Sequence, residues 1–289
     1  MTGGRQDPRL ARFSLNQRSV PGWDVPGVVA ACAAAGVPAV GLWREPVAEH
    51  GLAATAALVA GHGLRVSSLC RGGFLTAADE AGRRAALDDN RRAIEEAATL
   101  GAACLVLVVG GLPAGSRDLV GARERVRDLV AELAPEAGAS GVRLAIEALH
   151  PMFAADRAVV STLDQALRLA AEHPPAQVGV VIDAYHQWWE PDLAAVLARA
   201  AGRIAVYQVA DWVPLGPDAL LSRGVMGEGC IDLAGMTRAV TATGYAGDVE
   251  AEIFSARLWA APPREAFDAV LRGYLEHVAP HAAPVGSRA

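Results

Sequence analysis

Eight short apolar runs, each followed by a stretch of helical length, constrain this chain more than any other feature. The runs fall at residues 13–17, 39–43, 65–70, 104–109, 143–149, 178–183, 204–209 and 249–253. Their length and branched aliphatic content fit strands buried on both faces. The segments between them carry helix signals. Asp24 and Pro26 open a helix over 28–35 that stops at Gly36, and further helices are expected over 46–60, 117–137, 162–172, 191–201, 233–243 and 263–279. Thr76 is the expected cap of a long helix that runs to residue 100. A helix after every strand returns the chain to the same end of the sheet, which makes the sheet parallel, and eight such units close into a barrel. The expected fold is a single α/β domain over residues 1–289, a (β/α)8 TIM barrel, with a frayed tail over 280–289. The first strand lacks a Gly-x-Gly-x-x-Gly turn, which argues against a dinucleotide-binding open sheet.

Composition removes several classes of function. The chain contains no lysine, so Schiff-base and pyridoxal chemistry through a protein amine is excluded. A net charge of −6 argues against nucleic acid as a partner. Cys32, Cys70, Cys104 and Cys230 show no paired spacing of the kind that holds zinc or a redox dithiol. No apolar run is long enough to span a bilayer, and residues 1–12 lack the apolar core of a secretory signal. The expectation is a reduced, cytoplasmic, soluble protein.

The chemistry gathers at the C-terminal ends of the last four strands, where a barrel of this type places its site. Glu147 closes an otherwise apolar run. A carboxylate there must be paired, neutral or metal-bound, because an isolated buried charge costs too much. An ion pair with an arginine is one solution. The next strand ends carry Asp183 with His186, Gln208 with Asp211, and Glu250 with Glu252. Such a set offers oxygen ligands for a hard divalent cation, most readily Mn²⁺, with Mg²⁺ or Co²⁺ as alternatives. The bland alternative is a wet mouth with scattered ion pairs.

The same residues carry a resemblance. Leu144-Ala145-Ile146-Glu147, Val181-Ile182-Asp183-x-x-His186, Gln208-x-x-Asp211, Gly227-Glu228-Gly229-x-x-Asp232 and Gly244-Tyr245-x-Gly247-x-x-x-x-Glu252 resemble the xylose isomerase-like TIM-barrel family, which includes sugar phosphate isomerases and epimerases of the tagatose-3-epimerase type. The resemblance covers nearly the whole chain. It implies that Glu147, Asp183, Gln208 and Glu252 hold the metal, and that Glu147 and Glu252 act as catalytic acid and base. The spacing from Gly247 selects Glu252 over Glu250. The family has histidine where this chain has Gln208, which makes the site less suited to zinc. Arg223 matches an arginine that contacts substrate in some epimerases.

His150 and His186 lie just past ligand positions. Either they orient carboxylates, or they face the substrate, His150 as a catalytic base and His186 as a hydrogen-bond donor. Trp43, Trp188 and Trp212 fall at or after strand ends, where they would stack against a sugar face. Contact between subunits of a homo-oligomer is their other use. The expected function is metal-dependent isomerisation or epimerisation of an unphosphorylated sugar, keto-sugar or cyclitol derivative through an enediolate. The alternative is a lyase with the same first step, either a dehydratase or an enzyme that cleaves keto-C-glycosides. A sugar-binding barrel without activity is a third, weaker reading.

Overall fold

The computed structural model describes residues 7–282. In chain order the elements are β1 (Phe13–Asn16), α1 (Val25–Ala35), β2 (Ala39–Trp43), α2 (Arg44–His50), α3 (Leu52–Gly61), β3 (Arg65–Gly73), α4 (Glu80–Leu100), β4 (Leu105–Val108), α5 (Leu119–Ala139), β5 (Leu144–Ile146), α6 (Leu163–Ala170), β6 (Val178–Asp183), α7 (Ala184–Gln187), α8 (Leu193–Arg199), β7 (Ile204–Val209), β8 (Asp211–Trp212), β9 (Arg223–Gly224), α9 (Leu233–Ala242), β10 (Val249–Ala251), α10 (Ala256–Trp259) and α11 (Pro263–His277). Strands β1 to β7 and β10 close into one parallel barrel, with β1 pairing β2 on one side and β10 on the other. This is the expected (β/α)8 architecture. Among the described residues no helix is long and apolar enough to cross a membrane.

Two layers of packing follow from the strand alternation. One face of each strand points to the helices, where residues such as Phe13, Leu15, Leu105, Leu144, Ile182 and Tyr207 join the main core. The opposite face points into the barrel. There Cys70, Cys104, Val106, Ala145, Val181 and Val206 form a separate small apolar cluster. Side chains two residues on lie on the same face of a strand. Ala145 is therefore followed inward by Glu147, Val181 by Asp183, and Val206 by Gln208. An apolar plug thus sits on the strand axis just behind the polar residues.

The helix limits shift where local chemistry intervenes. Gly51, at φ +98°, breaks the expected 46–60 helix into α2 and α3. The long helix starts at Asp79, whose side chain accepts from the Gly82 amide, and not at Thr76. The chain cannot turn helical earlier because Phe74 and Leu75 still donate to Val108 and Val109 of the β4 side. The antiparallel β8–β9 ribbon and the short helices α7 and α10 were not foreseen in the sequence. Residues 279–281 form a 3-10 turn; positions 283–289 of the tail lie outside the described residues.

Glu250 fixes the spacing of the interior. Its carboxylate accepts from Asn16 Nδ2 (2.8 Å), Ser67 Oγ (2.5 Å), Ser68 Oγ (2.8 Å) and Gln208 Nε2 (3.0 Å), which ties β10 to β1, β3 and β7. Gly41 leaves the space: a Cβ there would fall 2.6 Å from the Glu250 carboxyl carbon. A carboxylate held by four bonds cannot retreat. Gly41→Ala is expected to lower stability by about 1–3 kcal/mol through overpacking, measured by chemical denaturation; an unchanged midpoint would show that Glu250 moves freely.

Candidate active site

The barrel mouth encloses a cavity of about 220 Å³. Glu147, His186, Arg223 and Glu252 line it, with Cys70 at its floor. Arg223 is buried, and its guanidinium organises the acids. Nη1 donates to Glu252 Oε2 at 3.1 Å and lies 3.3 Å from Asp183 Oδ2; it also donates to the Glu252 carbonyl at 3.1 Å. The guanidinium sits over the rings of Tyr185 and Phe254, at 4.7 and 5.0 Å from their centroids. Glu147, Asp183 and His186 form a second, overlapping group whose ligand atoms all lie within 4.8 Å of one another.

Arg223 is held on β9, which pairs with β8 immediately after β7. Asp211 secures that ribbon. Its carboxylate accepts from the amides of Trp212, Gly227, Gly229 and Ile231 at 2.8–3.0 Å. Gly229 permits this approach, since a Cβ there would meet the Trp212 carbonyl oxygen at 2.2 Å. The Gly227-Glu228-Gly229 motif is thus a backbone cradle for Asp211, and Asp232 two turns on caps α9.

His186 is oriented by backbone. The His150 amide donates to Nδ1 at 3.2 Å; Arg223 is likewise only a donor on the other side of the ring, so the neutral ring can accept from one of the two at a time, at Nδ1 or at Nε2. Nε2 lies 3.9 Å from Glu147 Oε1 and 3.8 Å from Asp183 Oδ2, with Arg223 Nη2 at 3.2 Å alongside. Burial, and then the nearby Arg223 charge, holds His186 well below the usual histidine range. It stays neutral.

The acids are pushed the other way. Burial raises Glu147 well above the carboxylate range, and the Glu252 and Asp183 charges raise it further. Burial also raises Asp183, although Arg223 and the Tyr185 and His186 amides oppose it. Glu252 is pushed up to about 8 by burial, with Arg223 pulling it down and Asp183 pushing it up. Burial works against a charged Arg223, but Asp183, Glu252 and Glu147 keep it fully cationic.

Several residues expected at the site have other surroundings. Gln208 is buried beside Asp183 in the strand register, and its amide nitrogen is engaged by Glu250. Its Oε1 is buried without a hydrogen-bond partner, an acceptor suited to a hard cation. Glu250, the alternative to Glu252, belongs to the hydrogen-bonded interior. His150 is not among the residues lining the cavity. Its ring packs against Trp189 and Trp212, and its Nδ1 accepts from the Met152 amide at 3.2 Å. Trp43 does line the cavity and donates to Asn16 Oδ1 at 2.9 Å. Trp188 and Trp212 do not line it. Trp212 stacks on Tyr185 at 4.8 Å and contacts Trp188 at 5.3 Å, so both serve an aromatic layer behind Arg223. Trp259, another tryptophan just past a strand end, lines the cavity, as do Phe74, Phe254, Arg71 and Arg157, which were not selected from the sequence. The arginines gave no signal there, since each stands in a loop or strand end among many others.

Residues 29–276 match the family described as xylose isomerase-like TIM barrel. Protein SMc04130 of Sinorhizobium meliloti 1021 is 45% identical, with a TM-score of 0.91 over 93% of this chain and 99% of that one. The IolI protein, solved with a bound zinc atom, shares the fold at 21% identity and a TM-score of 0.82, over 94% of this chain and 99% of its own. The 3-dehydroshikimate dehydratase of Pseudomonas aeruginosa is 32% identical over 165 residues, 55% of this chain and 25% of that protein. Its counterpart in Pseudomonas putida is 33% identical over 168 residues, 56% of this chain and 25% of that protein. The chain therefore spans only part of the length of these curated relatives.

A test of the site's electrostatics follows from Glu252. Its ordinary value is 4.5, so between there and about 8 the folded protein holds a proton that the unfolded chain has lost. Unfolding then releases a proton, and stability falls as pH rises. His186 has the opposite sign, because the unfolded histidine gains a proton below its ordinary 6.5. Above that value the carboxyl effect stands alone. In EDTA, the melting temperature is expected to fall from pH 6.5 to 8, and Glu252→Gln is expected to flatten that decline; a slope unaffected by the substitution would place the shared proton elsewhere.

Proposed function

The chain belongs to the xylose isomerase-like TIM-barrel family, and on that premise we propose that it removes and returns a proton α to the carbonyl of a small polyhydroxylated carbonyl compound. The substrate on this reading is a sugar, keto-sugar or cyclitol derivative, and the reaction an isomerisation or epimerisation. The observation that carries it is the closure of Glu147, Glu252, neutral His186 and cationic Arg223 around one small cavity, with Asp183 buried against Arg223 and His186. Two carboxyl groups from different strands face that volume, as a reaction that takes a proton and returns one requires.

Three carboxylates against one guanidinium leave an excess of negative charge that a divalent cation would neutralise. Glu147, Asp183, Glu252 and the unpartnered Oε1 of Gln208 would hold it. Their all-oxygen character favours Mn²⁺, with Mg²⁺ or Co²⁺ as alternatives. When bound, such an ion supplies a Lewis acid toward the carbonyl oxygen. The chain's own residues supply the rest. One of Glu147 and Glu252, ionised, accepts the carbon-bound proton, and the other, protonated, delivers a proton back to carbon. The Arg223 guanidinium, with His186 beside it, presents donors to substrate oxygens as negative charge develops on the enediolate. Trp43 and Phe254 give the cavity an apolar wall for the carbon skeleton of the substrate.

A second reading shares the first step: loss of a β-hydroxyl from the enolate, giving a dehydratase. The names of the two Pseudomonas relatives favour it.

In D₂O, with Mn²⁺ added, NMR of a panel of ketoses, inososes and 3-dehydroshikimate is expected to show deuterium entering the α-position, with EDTA stopping it. Glu147→Gln and Glu252→Gln should each slow exchange by about a hundredfold or more. Exchange on none of these compounds, with metal bound by titration, would reject the reading. Water loss in place of exchange without net change would select the dehydratase.

A further inference from the structure

Two arginines on the wall of the same cavity are held far less firmly than Arg44 and Arg223. Arg71 comes at the end of β3 and Arg157 in the loop after β5, and both line the cavity together with Glu147, Glu252 and Arg223. The Arg71 guanidinium is half-buried. Among the described residues it forms no hydrogen bond and no ion pair; it lies over the Phe74 ring at 4.2 Å. Arg44, by contrast, binds Asp89 and Glu96, and Arg223 binds Asp183 and Glu252. Arg157 is paired only loosely with its exposed neighbour Asp156, at 3.9 Å. A third rim arginine, Arg18, is already paired with Glu45 at 3.5 Å.

The loop that presents Arg71 is built to hold it in place. Asn90 of α4 clamps Gly73 from both sides, with Oδ1 accepting from its amide at 2.7 Å and Nδ2 donating to its carbonyl at 2.8 Å. Phe74 and Leu75 continue the pairing with β4. A guanidinium fixed in a partly dry wall and lacking an acceptor is an unfavourable arrangement for the empty protein. Burial pulls the Arg71 charge down, Glu45 opposes this, and the facing Arg157 adds to it. The cavity therefore has, besides an enolising set of groups, a partly desolvated cation with no hydrogen-bonded acceptor and with Glu45 as its main counter-charge. Between them lie the aromatic walls of Trp43, Phe254 and Trp259.

We propose that Arg71, assisted by Arg157, is an anion subsite, and that the substrate is a ring or chain ketone bearing one carboxylate, seated with that carboxylate at Arg71 and its keto–hydroxyl edge at Glu147, Glu252 and Arg223. The planar fork of Arg71 matches a carboxylate, and the Glu45 carboxylate on the same cavity wall offsets part of the arginine charge, which favours a monoanion over a dianionic phosphate. The cavity, at about 220 Å³, holds a compound of one small ring. The assignment rests on the enolisation reading for the position of the keto group, and on the rim geometry alone for the anion.

The test uses the Mn²⁺-loaded protein and a matched pair of ligands, 3-dehydroshikimate and its methyl ester, which differ in the charge. Calorimetric titration should show the acid binding about tenfold or more tighter than the ester. Arg71→Met should remove that preference while leaving ester affinity, Mn²⁺ affinity and melting temperature unchanged, and Arg71→Lys should restore part of it. Arg157→Met should reduce it by a smaller factor. Equal affinity for acid and ester, weakening of both ligands alike by Arg71→Met, absence of acid binding at millimolar concentration, or tighter binding of fructose 6-phosphate than of the acid would each overturn the proposal. Failure of the two readings is separable. Deuterium exchange on neutral scyllo-inosose without any carboxylate preference would leave the enolising site standing and remove the anion subsite; carboxylate preference without exchange on any probe would do the reverse.

Discussion

One buried guanidinium determines how this barrel mouth is built. Arg223 faces Asp183 and Glu252 through a single nitrogen and has Glu147 nearby. Removing a charge of that kind from water costs several kcal/mol unless its partners are fixed in place, so the surrounding structure serves to fix them. Tyr185 and Phe254 sandwich the guanidinium plane. The β8–β9 ribbon sets its height, and Asp211 gathers four backbone amides to hold the ribbon. The Arg223 amide itself donates to the Phe254 carbonyl at 3.0 Å, which fastens the ribbon to the end of β10. The same interaction leaves the site short of positive charge, since one cation stands among three acids. A divalent ion that took up the Asp183 and Glu252 oxygens would displace Arg223 Nη1 from them and free it to meet a substrate oxygen.

Two glutamates two residues apart illustrate how position on a strand separates structure from chemistry. Glu250 and Glu252 point the same way from β10 and its continuation. Glu250 receives hydrogens from two serines, an asparagine and a glutamine. Glu252 shares Asn16 at a longer 3.2 Å and otherwise faces Arg223 and the cavity. The first is saturated and inert. The second is left with an acid–base range that a proton-transfer group needs, because burial raises it and fewer neutral donors hold its charged form. Asn16 bridges the two levels, so the inert carboxylate also sets the lateral position of the active one.

The barrel was legible because its signals are local and repeated: eight apolar runs, helical spans between them, glycine stops. The strand-end acids were legible for a related reason, since a carboxylate inside an apolar run must be explained by something. Less legible were features made by distant contacts. His150 stands just past a ligand position, as a base would, yet its backbone amide is what reaches the site, through His186. Trp188 and Trp212 stand at strand ends, yet Tyr185 and α7 draw them into an aromatic layer behind Arg223. Arg71 carries no sequence mark at all. Only the Asn90 clamp on Gly73, seventeen positions apart along the chain, and the closing of the barrel bring it over the cavity.

The stretch between β8 and β9 has its two ends sewn together by the ribbon pairing and by Asp211, while its middle touches the cavity only through Leu220. Its length and composition over 214–217 are thereby uncoupled from the catalytic frame. Its later part is tied to the frame, since the Tyr185 hydroxyl donates to the Ala219 carbonyl at 3.0 Å; changes within 214–217 are the ones that leave Arg223 and the acids undisturbed. Among barrels that share this frame, divergence of ligand preference should concentrate in that hairpin, as a cassette exchanged independently of the machinery it covers.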